Sequence, residues 1–113
     1  MKKSLNWEEF TKVDMRVGTI VSARSFPEAR KPAYKLEIDF GSEIGIKKTS
    51  AQITDHYQPD DLIGRQIIAV VNFPPKQIAN FISECLVLGS VDEDQKVTLL
   101  QPERITNNGD RVG

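Results

Sequence analysis

Alternation of apolar and polar side chains with a period of two is the feature that most constrains this chain of 113 residues. The pattern runs through residues 13–21 and 35–40 and returns in residues 44–50, and Gly18 interrupts its first occurrence. Because side chains two apart lie on the same face of a strand, each segment predicts a strand with one buried face. A glycine within a strand is typical of a bulge or bend, so we expect the first strand to bend at Gly18.

Two later segments are apolar without alternation. They are Gln66–Val71 and Cys85–Gly89, and such continuous runs predict strands buried on both faces. A weaker strand is expected at Val97–Leu100, and the capping residues, proline and terminal glycine within Thr54–Gly64 predict one or two helical turns. This order predicts an all-β protein, a five-stranded Greek-key barrel of the OB-fold type with a helical connector between strands three and four. Other small barrels and sandwiches are compatible with the same pattern.

The length of the chain corresponds to a single domain. We expect residues 1–12 to hold an N-terminal helix, residues 13–90 to form the barrel, and residues 91–113 to be a C-terminal extension. The helix is expected at about Trp7–Lys12, where it presents Trp7 and Phe10 on one side. These rings either cover the end of the core or contact a second subunit.

Composition excludes several classes of protein. With 39% hydrophobic and 27% charged residues the chain is expected to fold rather than stay disordered. One cysteine and one histidine exclude a disulfide framework and a typical Cys/His zinc site, so no metal is expected. The longest strongly apolar run is Ile67–Val71, and the N-terminus turns acidic where a signal peptide needs apolar residues. We therefore expect a cytoplasmic protein with no membrane insertion.

The near-neutral net charge hides an asymmetry between the two halves of the chain. Residues 1–50 carry ten basic and seven acidic side chains, and residues 51–113 carry five and nine. The first half is therefore +3 and the second −4, which sums to the net charge of −1. A local basic face is compatible with this distribution, whereas attraction of polyanions by the whole protein is not.

Two loops contain most of the candidate ligand contacts. OB folds bind ligands on the strand two–three face and at the loops between strands one and two and strands four and five, which here are Arg24–Tyr34 and Asn72–Glu84. Prolines stiffen both loops. Candidate phosphate contacts are Arg30, Lys31, Lys35, Lys47, Lys48 and Lys76, and candidate stacking residues are Tyr34, Phe73 and Phe81. Core packing is the interpretation preferred for Phe26, Phe40 and Phe81.

Catalysis has little support in the sequence. The chain has no glycine-rich phosphate loop, no His-x-Glu arrangement, and no cysteine and histidine close together in sequence. His56 is interpreted as a structural residue of the connector. Cys85 begins an apolar strand, where a thiol behaves as a small hydrophobic group. We therefore expect neither an enzyme nor a cofactor.

A family resemblance adds to this interpretation. The segment Val13–Ile20 resembles the opening of the tRNA-binding OB domains, the EMAP-II-like modules found alone or attached to methionyl- and phenylalanyl-tRNA synthetases. The end of the chain, Leu99–Val112, resembles the ending of the same family. The resemblance implies an OB fold, and it implies RNA contacts by Arg30, Lys31, Lys35, Asn72, Lys76 and Ser83.

Three further motifs are similar to the CsaA-type chaperones, small export-related bacterial proteins within this family. They are Phe26–Ala33, Ser50–Thr54 and Val71–Ala79. The resemblance implies a homodimer in the bacterial cytosol that binds unfolded or pre-secretory polypeptides and cooperates with the SecA translocation ATPase. The family's dimer is built by segments outside the barrel, which in this chain include Trp7, Phe10, Leu99, Leu100 and Ile105.

Two positions depart from the wider tRNA-binding pattern. Ser50-Ala51 stands where the family usually has Ser-Gly, and Ser83–Leu86 stands where it has Ser-x-Gly-Met. The missing glycine removes a close backbone approach, and the acidic Glu84 adds repulsion near the phosphate path. These departures argue against tight tRNA binding.

The leading hypothesis is an ATP-independent chaperone whose cleft holds extended client polypeptide. Its aromatic residues would cover apolar side chains, and its lysines would favour acidic or carbonyl-rich stretches. The alternative is a tRNA-binding protein that uses the same cleft for phosphate contacts and base stacking. A third hypothesis is a scaffold subunit that functions through its dimer surface alone.

Overall fold

A computed structural model describes all residues, 1–113, as a small barrel with two short helices. The helices are α1 (Trp7–Thr11) and α2 (Pro59–Leu62). The strands are β1 (Met15–Ser25), β2 (Tyr34–Asp39), β3 (Ile46–Ala51), β4 (Gln66–Val70), β5 (Lys76–Ile78), β6 (Phe81–Ser83), β7 (Leu86–Val87), β8 (Gly89–Val91), β9 (Val97–Leu99) and β10 (Arg111–Val112).

The main sheet has the strand order β3-β2-β1-β4-β7, and every neighbouring pair is antiparallel. The edges formed by β3 and β7 approach each other, and hydrogen bonds between β3 and the two residues before β7 complete the closure. The hydroxyl of Thr49 on β3 donates to the carbonyl of Cys85 at 2.7 Å, and the backbone N–H of Glu84 donates to the carbonyl of Lys48 at 2.8 Å. The expected OB-type barrel with a connector between strands three and four is confirmed.

The core follows the alternation in β2. Leu36, Ile38 and Phe40 are buried, whereas the charged residues between them lie on the outer face, as predicted. Burying each such side chain stabilises the fold by about 1.5–3 kcal/mol. β4 adds Ile67 and Ala69 to the same cluster, and four of its five residues are buried, which confirms that this strand lies deep in the fold.

Gly18 has a different role from the one expected. Its pairing with Ile67 on β4 is regular, and the shift in register lies between Ile20 and Ser22. A Cβ atom at Gly18 would lie 2.6 Å from Ile38 and 2.7 Å from the Phe40 ring. The glycine therefore allows close packing, and the irregular pairing in β1 falls after Ile20 rather than at Gly18.

The N-terminal helix forms as predicted, one residue shorter. Asn6 is its N-cap, because the Asn6 Oδ1 accepts from the Glu9 N–H at 2.8 Å and the Glu9 carboxylate accepts in return from the Asn6 N–H. The rings of Trp7 and Phe10 are in edge-to-face contact at 6.4 Å, on one side of the helix. No residue of the helix is buried, so these rings do not plug the core.

Two predicted boundaries in the second half are corrected. The fifth barrel strand is only Leu86–Val87, and Leu86 is 49% exposed rather than buried on both faces. The expected loop Asn72–Glu84 contains the β5–β6 hairpin, whose two turn residues are Ala79 and Asn80. The hairpin gives this segment a defined shape that the loop interpretation lacked.

The C-terminal extension returns to the barrel. β9 pairs with β8, close to the expected weak strand, and β10 pairs with Met15 and Arg16 at the start of β1. The Asn108 Oδ1 accepts from the Thr19 hydroxyl at 2.8 Å and from the Gln66 amide at 3.1 Å. Leu99 is buried in the main core, so its expected place in a dimer interface is wrong.

Neither helix is of the length and apolarity that a bilayer crossing requires. The structure also contains no group of three or more histidine, cysteine or acidic side chains that could hold a metal ion.

Candidate ligand-binding groove

A small second core holds the two candidate loops together. Phe26 from the first loop and Phe81 from β6 are buried, with their ring centroids 5.5 Å apart. Ala33 completes this cluster, and Ile78 packs against it. Tilted ring pairs at such distances are favourable beyond the area they bury. The loop between β1 and β2 is therefore docked on the hairpin.

Two lysines of the strand two–three face lie over these rings. The Lys35 Nζ is 4.7 Å from the Phe26 centroid, and the Lys48 Nζ is 5.4 Å from the Phe81 centroid. Contacts of this kind stabilise by about 0.5–1 kcal/mol when exposed. Phe81 is thus a core residue, as the preferred interpretation had it, and its predicted role in stacking is corrected.

A groove of about 960 Å³ runs between the first loop and the hairpin. Arg30 and Lys31 lie on one side, Lys76 lies on the other, and Ser50 and Gln52 line it between them. None of the three cations forms an ion pair, because the structure has only the pairs Arg16–Asp14 and Arg104–Glu103. Three of the six predicted phosphate contacts therefore share one groove, which we call the cationic groove.

A smaller apolar depression of about 270 Å³ adjoins the cationic groove. Phe73, Pro74 and Leu86 line it, and it shares Lys76 and Ser50 with the groove. The Phe73 ring is 54% exposed. The depression and the groove therefore form one surface with an apolar end and a cationic end.

Comparison with known proteins agrees with this architecture. A family model described as "Putative tRNA binding domain" matches residues 15–111. The chain belongs to the family of tRNA-binding domains. The resemblance noted in the sequence is thereby confirmed, and it covers the barrel together with its C-terminal extension.

Two solved structures of CsaA chaperones are similar to this tRNA-binding domain. A crystal structure of chaperone CsaA from Bacillus anthracis is 55% identical, with a TM-score of 0.93, and the match covers 98% of this chain and 100% of that one. A CsaA chaperone protein from Picrophilus torridus is also 55% identical, with a TM-score of 0.92, and the match covers 97% of this chain and 100% of that one.

Relatives of the tRNA-binding domain also occur within much longer enzymes. The methionine–tRNA ligase of Methanococcoides burtonii is 36% identical over 108 residues, which are 96% of this chain and 16% of that enzyme. The ligase of Pyrococcus furiosus is 33% identical over 96% of this chain and 14% of the enzyme. The chain thus spans about a sixth of the ligases it matches, and the match is to a binding domain rather than a catalytic one.

Two predicted contact residues of the tRNA-binding domain face inward. Tyr34 is 7% exposed, and its hydroxyl donates to the Tyr57 carbonyl at 2.6 Å, so its predicted stacking role is corrected. Lys47 lies on the inward face of β3 with Thr49, whereas Lys48 lies on the outer face. Alternation along one strand therefore separates the two neighbouring lysines.

Asn72 and Ser83 have structural partners. The Asn72 Oδ1 accepts from the Asp14 N–H at 3.0 Å, and its Nδ2 donates to the Lys12 carbonyl at 2.6 Å. The Ser83 hydroxyl lies 2.9 Å from the Thr49 hydroxyl, in the contact that closes the barrel. The two hydrogen bonds of Asn72 thus attach the N-terminal segment to the barrel, a role that the sequence did not predict.

Sequence reasoning missed two contributors to the site, because Gln52 lines the cationic groove and Leu86 lines the apolar depression. It placed Glu84 near the phosphate path but did not predict that the Glu84 Oε1 accepts from the Lys48 N–H at 3.0 Å. Because side chains two apart share a face of a strand, the period of β3 could have placed Gln52 on the same face as Lys48 and Ser50. No local signal could have paired Glu84 with a strand 36 residues earlier.

Cys85 is a buried thiol next to this surface. Burial raises its pKa from 9.0 to about 11, against a smaller opposing effect of the hydrogen bond with Thr49 and the charge of Lys47. The thiol is therefore protonated near neutral pH and behaves as an apolar side chain, as the sequence predicted.

Proposed function

We propose that this protein binds extended segments of unfolded polypeptide in the cationic groove and apolar depression. The observation that carries the proposal is the continuity of the two: Lys76 and Ser50 line both, so one chain segment can contact an apolar end and a cationic end. A polypeptide presents apolar side chains and carbonyl or acidic groups within a few residues of each other, which matches this surface.

The proposed binding uses side chains that the fold already holds along the cationic groove and the apolar depression. Phe73 would cover an apolar client side chain, while Lys31 and Lys76 would attract acidic side chains or carbonyls. Pro74 and Pro75 limit the backbone freedom of the hairpin's entry, so less conformational entropy is lost on binding. Capture of this kind requires no ATP.

The assembly and cellular setting belong to the same proposal. Trp7 is 81% exposed and Ile105 is 80% exposed, while Leu100 and the half-buried Phe10 add apolar surface. A second copy of the chain covering these residues would give a homodimer with two grooves. Cytoplasmic precursor proteins would be the clients, and SecA the translocation partner to which they pass.

The relatives support this choice. The two CsaA chaperones match over their whole length, and at 55% identity they share the barrel and its extensions with this chain. Carrying that function to this chain is our inference.

Binding of tRNA is the second candidate function. It is favoured by three cations without ion-pair partners, Arg30, Lys31 and Lys76, beside the exposed ring of Phe73. Cations would neutralise phosphates, and the ring would stack a base for about 1–3 kcal/mol. The family description points to the same ligand.

A competition titration distinguishes the two candidates. Labelled tRNA and a labelled denatured client are each titrated with protein at low and moderate salt. Phosphate contacts predict a log–log salt slope of about −0.7 per contact for single strands, whereas apolar capture changes little. Nanomolar tRNA binding that clients do not displace would reject the polypeptide proposal.

Two substitutions test whether the ligand uses this surface. Lys76→Gln removes charge shared by the groove and the depression, and Phe73→Ala removes the exposed ring. Lys96→Gln, in the exposed turn between β8 and β9, is the matched charge control. Client affinity unchanged in both test variants would remove the proposed site.

A further inference from the structure

Glu84 joins the hairpin to the barrel beside the cationic groove. It directly follows β6, and it is bonded to Lys48 twice, through its own N–H at 2.8 Å and its carboxylate at 3.0 Å. The two hydrogen bonds hold both the backbone and the side chain of Glu84 against the edge of β3. The negative charge therefore has a fixed position.

That position lies close to the floor of the groove. Lys48 and Ser50 are two residues apart on the outer face of β3, a spacing of about 7 Å. Ser50 lines both the groove and the depression. The Lys48 ammonium lies over the Phe81 ring and forms no ion pair with Glu84, so the carboxylate charge is not neutralised by a direct partner.

We propose that Glu84 sets the preference of the groove for polypeptide over nucleic acid. A phosphate held near Ser50 would meet a fixed like charge within the Debye length, which is about 8 Å at physiological salt. A polypeptide backbone is neutral there and meets no such repulsion. This inference rests on the proposed function, because it concerns ligand selection by the same groove.

The charge can be removed while the hydrogen bond is kept. Glu84→Gln retains an oxygen that accepts from the Lys48 N–H, whereas Glu84→Ala loses both the charge and the acceptor. Glu93→Gln removes the same charge from the exposed β8–β9 turn, which lines neither the groove nor the depression. Thermal unfolding of all three variants separates a loss of charge from a loss of the bond to β3.

The experiment measures dissociation constants of a single-stranded oligonucleotide and of an uncharged extended peptide for each variant. We expect Glu84→Gln to shift the ratio of the two constants toward the oligonucleotide by about three- to tenfold. Its melting temperature should stay near that of the wild type, and Glu93→Gln should leave the ratio unchanged.

The outcomes separate this inference from the proposed function. Peptide binding by the wild type with an unmoved ratio in Glu84→Gln overturns the role of Glu84 alone. An equal shift in Glu93→Gln also overturns it, because net charge would then explain the change. A wild type that binds no peptide overturns the proposed function and this inference with it.

Discussion

Replacing Phe81 by alanine tests whether the second core holds the groove together. Phe81 is buried against Phe26 at a centroid distance of 5.5 Å, and Lys35 and Lys48 lie over this ring pair. Truncation of a buried phenylalanine costs about 3–5 kcal/mol, of which about 1 kcal/mol is the specific ring–ring term. Only three buried residues form this cluster, so the site can relax and we expect about 3 kcal/mol.

Urea unfolding followed by circular dichroism measures this loss. Ile82→Ala is the matched control, because Ile82 neighbours Phe81 on β6 but is exposed. Since the hairpin forms one side of the groove, ligand affinity should fall together with stability in Phe81→Ala. Losses within 0.5 kcal/mol of each other in the two variants, an interval on the order of the additivity error, would refute the argument.

Three further predictions concern the barrel and its attachments. Gly18→Ala should lower the free energy of unfolding by about 1–3 kcal/mol through overpacking against Ile38 and Phe40, measured by chemical denaturation. Cys85 should resist alkylation at pH 8 in the native state and react readily in urea. Because its folded pKa is raised to about 11, its contribution to stability is present below pH 9.0 and is lost toward pH 11, as pH-dependent melting would show. Asn72→Ala should increase hydrogen exchange at the Asp14 amide, since that amide loses its acceptor.

Features specified by local periodicity could be predicted from the sequence. Alternation placed Leu36, Ile38 and Phe40 inside, and the same period, extended by one residue, would have placed Tyr34 with them. In β3 the same period gives the wrong face, because the apolar Ile46 is 61% exposed and Lys47 shares the inner face with Thr49. The error for Tyr34 arose from judging the residue by its type instead of by its position along the strand.

Features specified by tertiary contacts could not be predicted. The β5–β6 hairpin turns through Ala79, which has a φ of 53°, a conformation for which glycine or asparagine is the usual signal. The role of Gly18 depends on side chains of another strand, and β10 is two residues long and forms only by pairing with β1. No short segment of the sequence indicates these tertiary contacts.

The pairing of β10 with β1 has a consequence for biosynthesis. Met15 lies between Val70 on one side and Val112 on the other, so the first strand gains its last neighbour some 97 residues after it leaves the ribosome. Contacts so distant in sequence form late and slow the folding reaction. During translation the nascent chain therefore exposes an unpaired edge at Met15 and Arg16, where another nascent strand could bind until Arg111 and Val112 emerge.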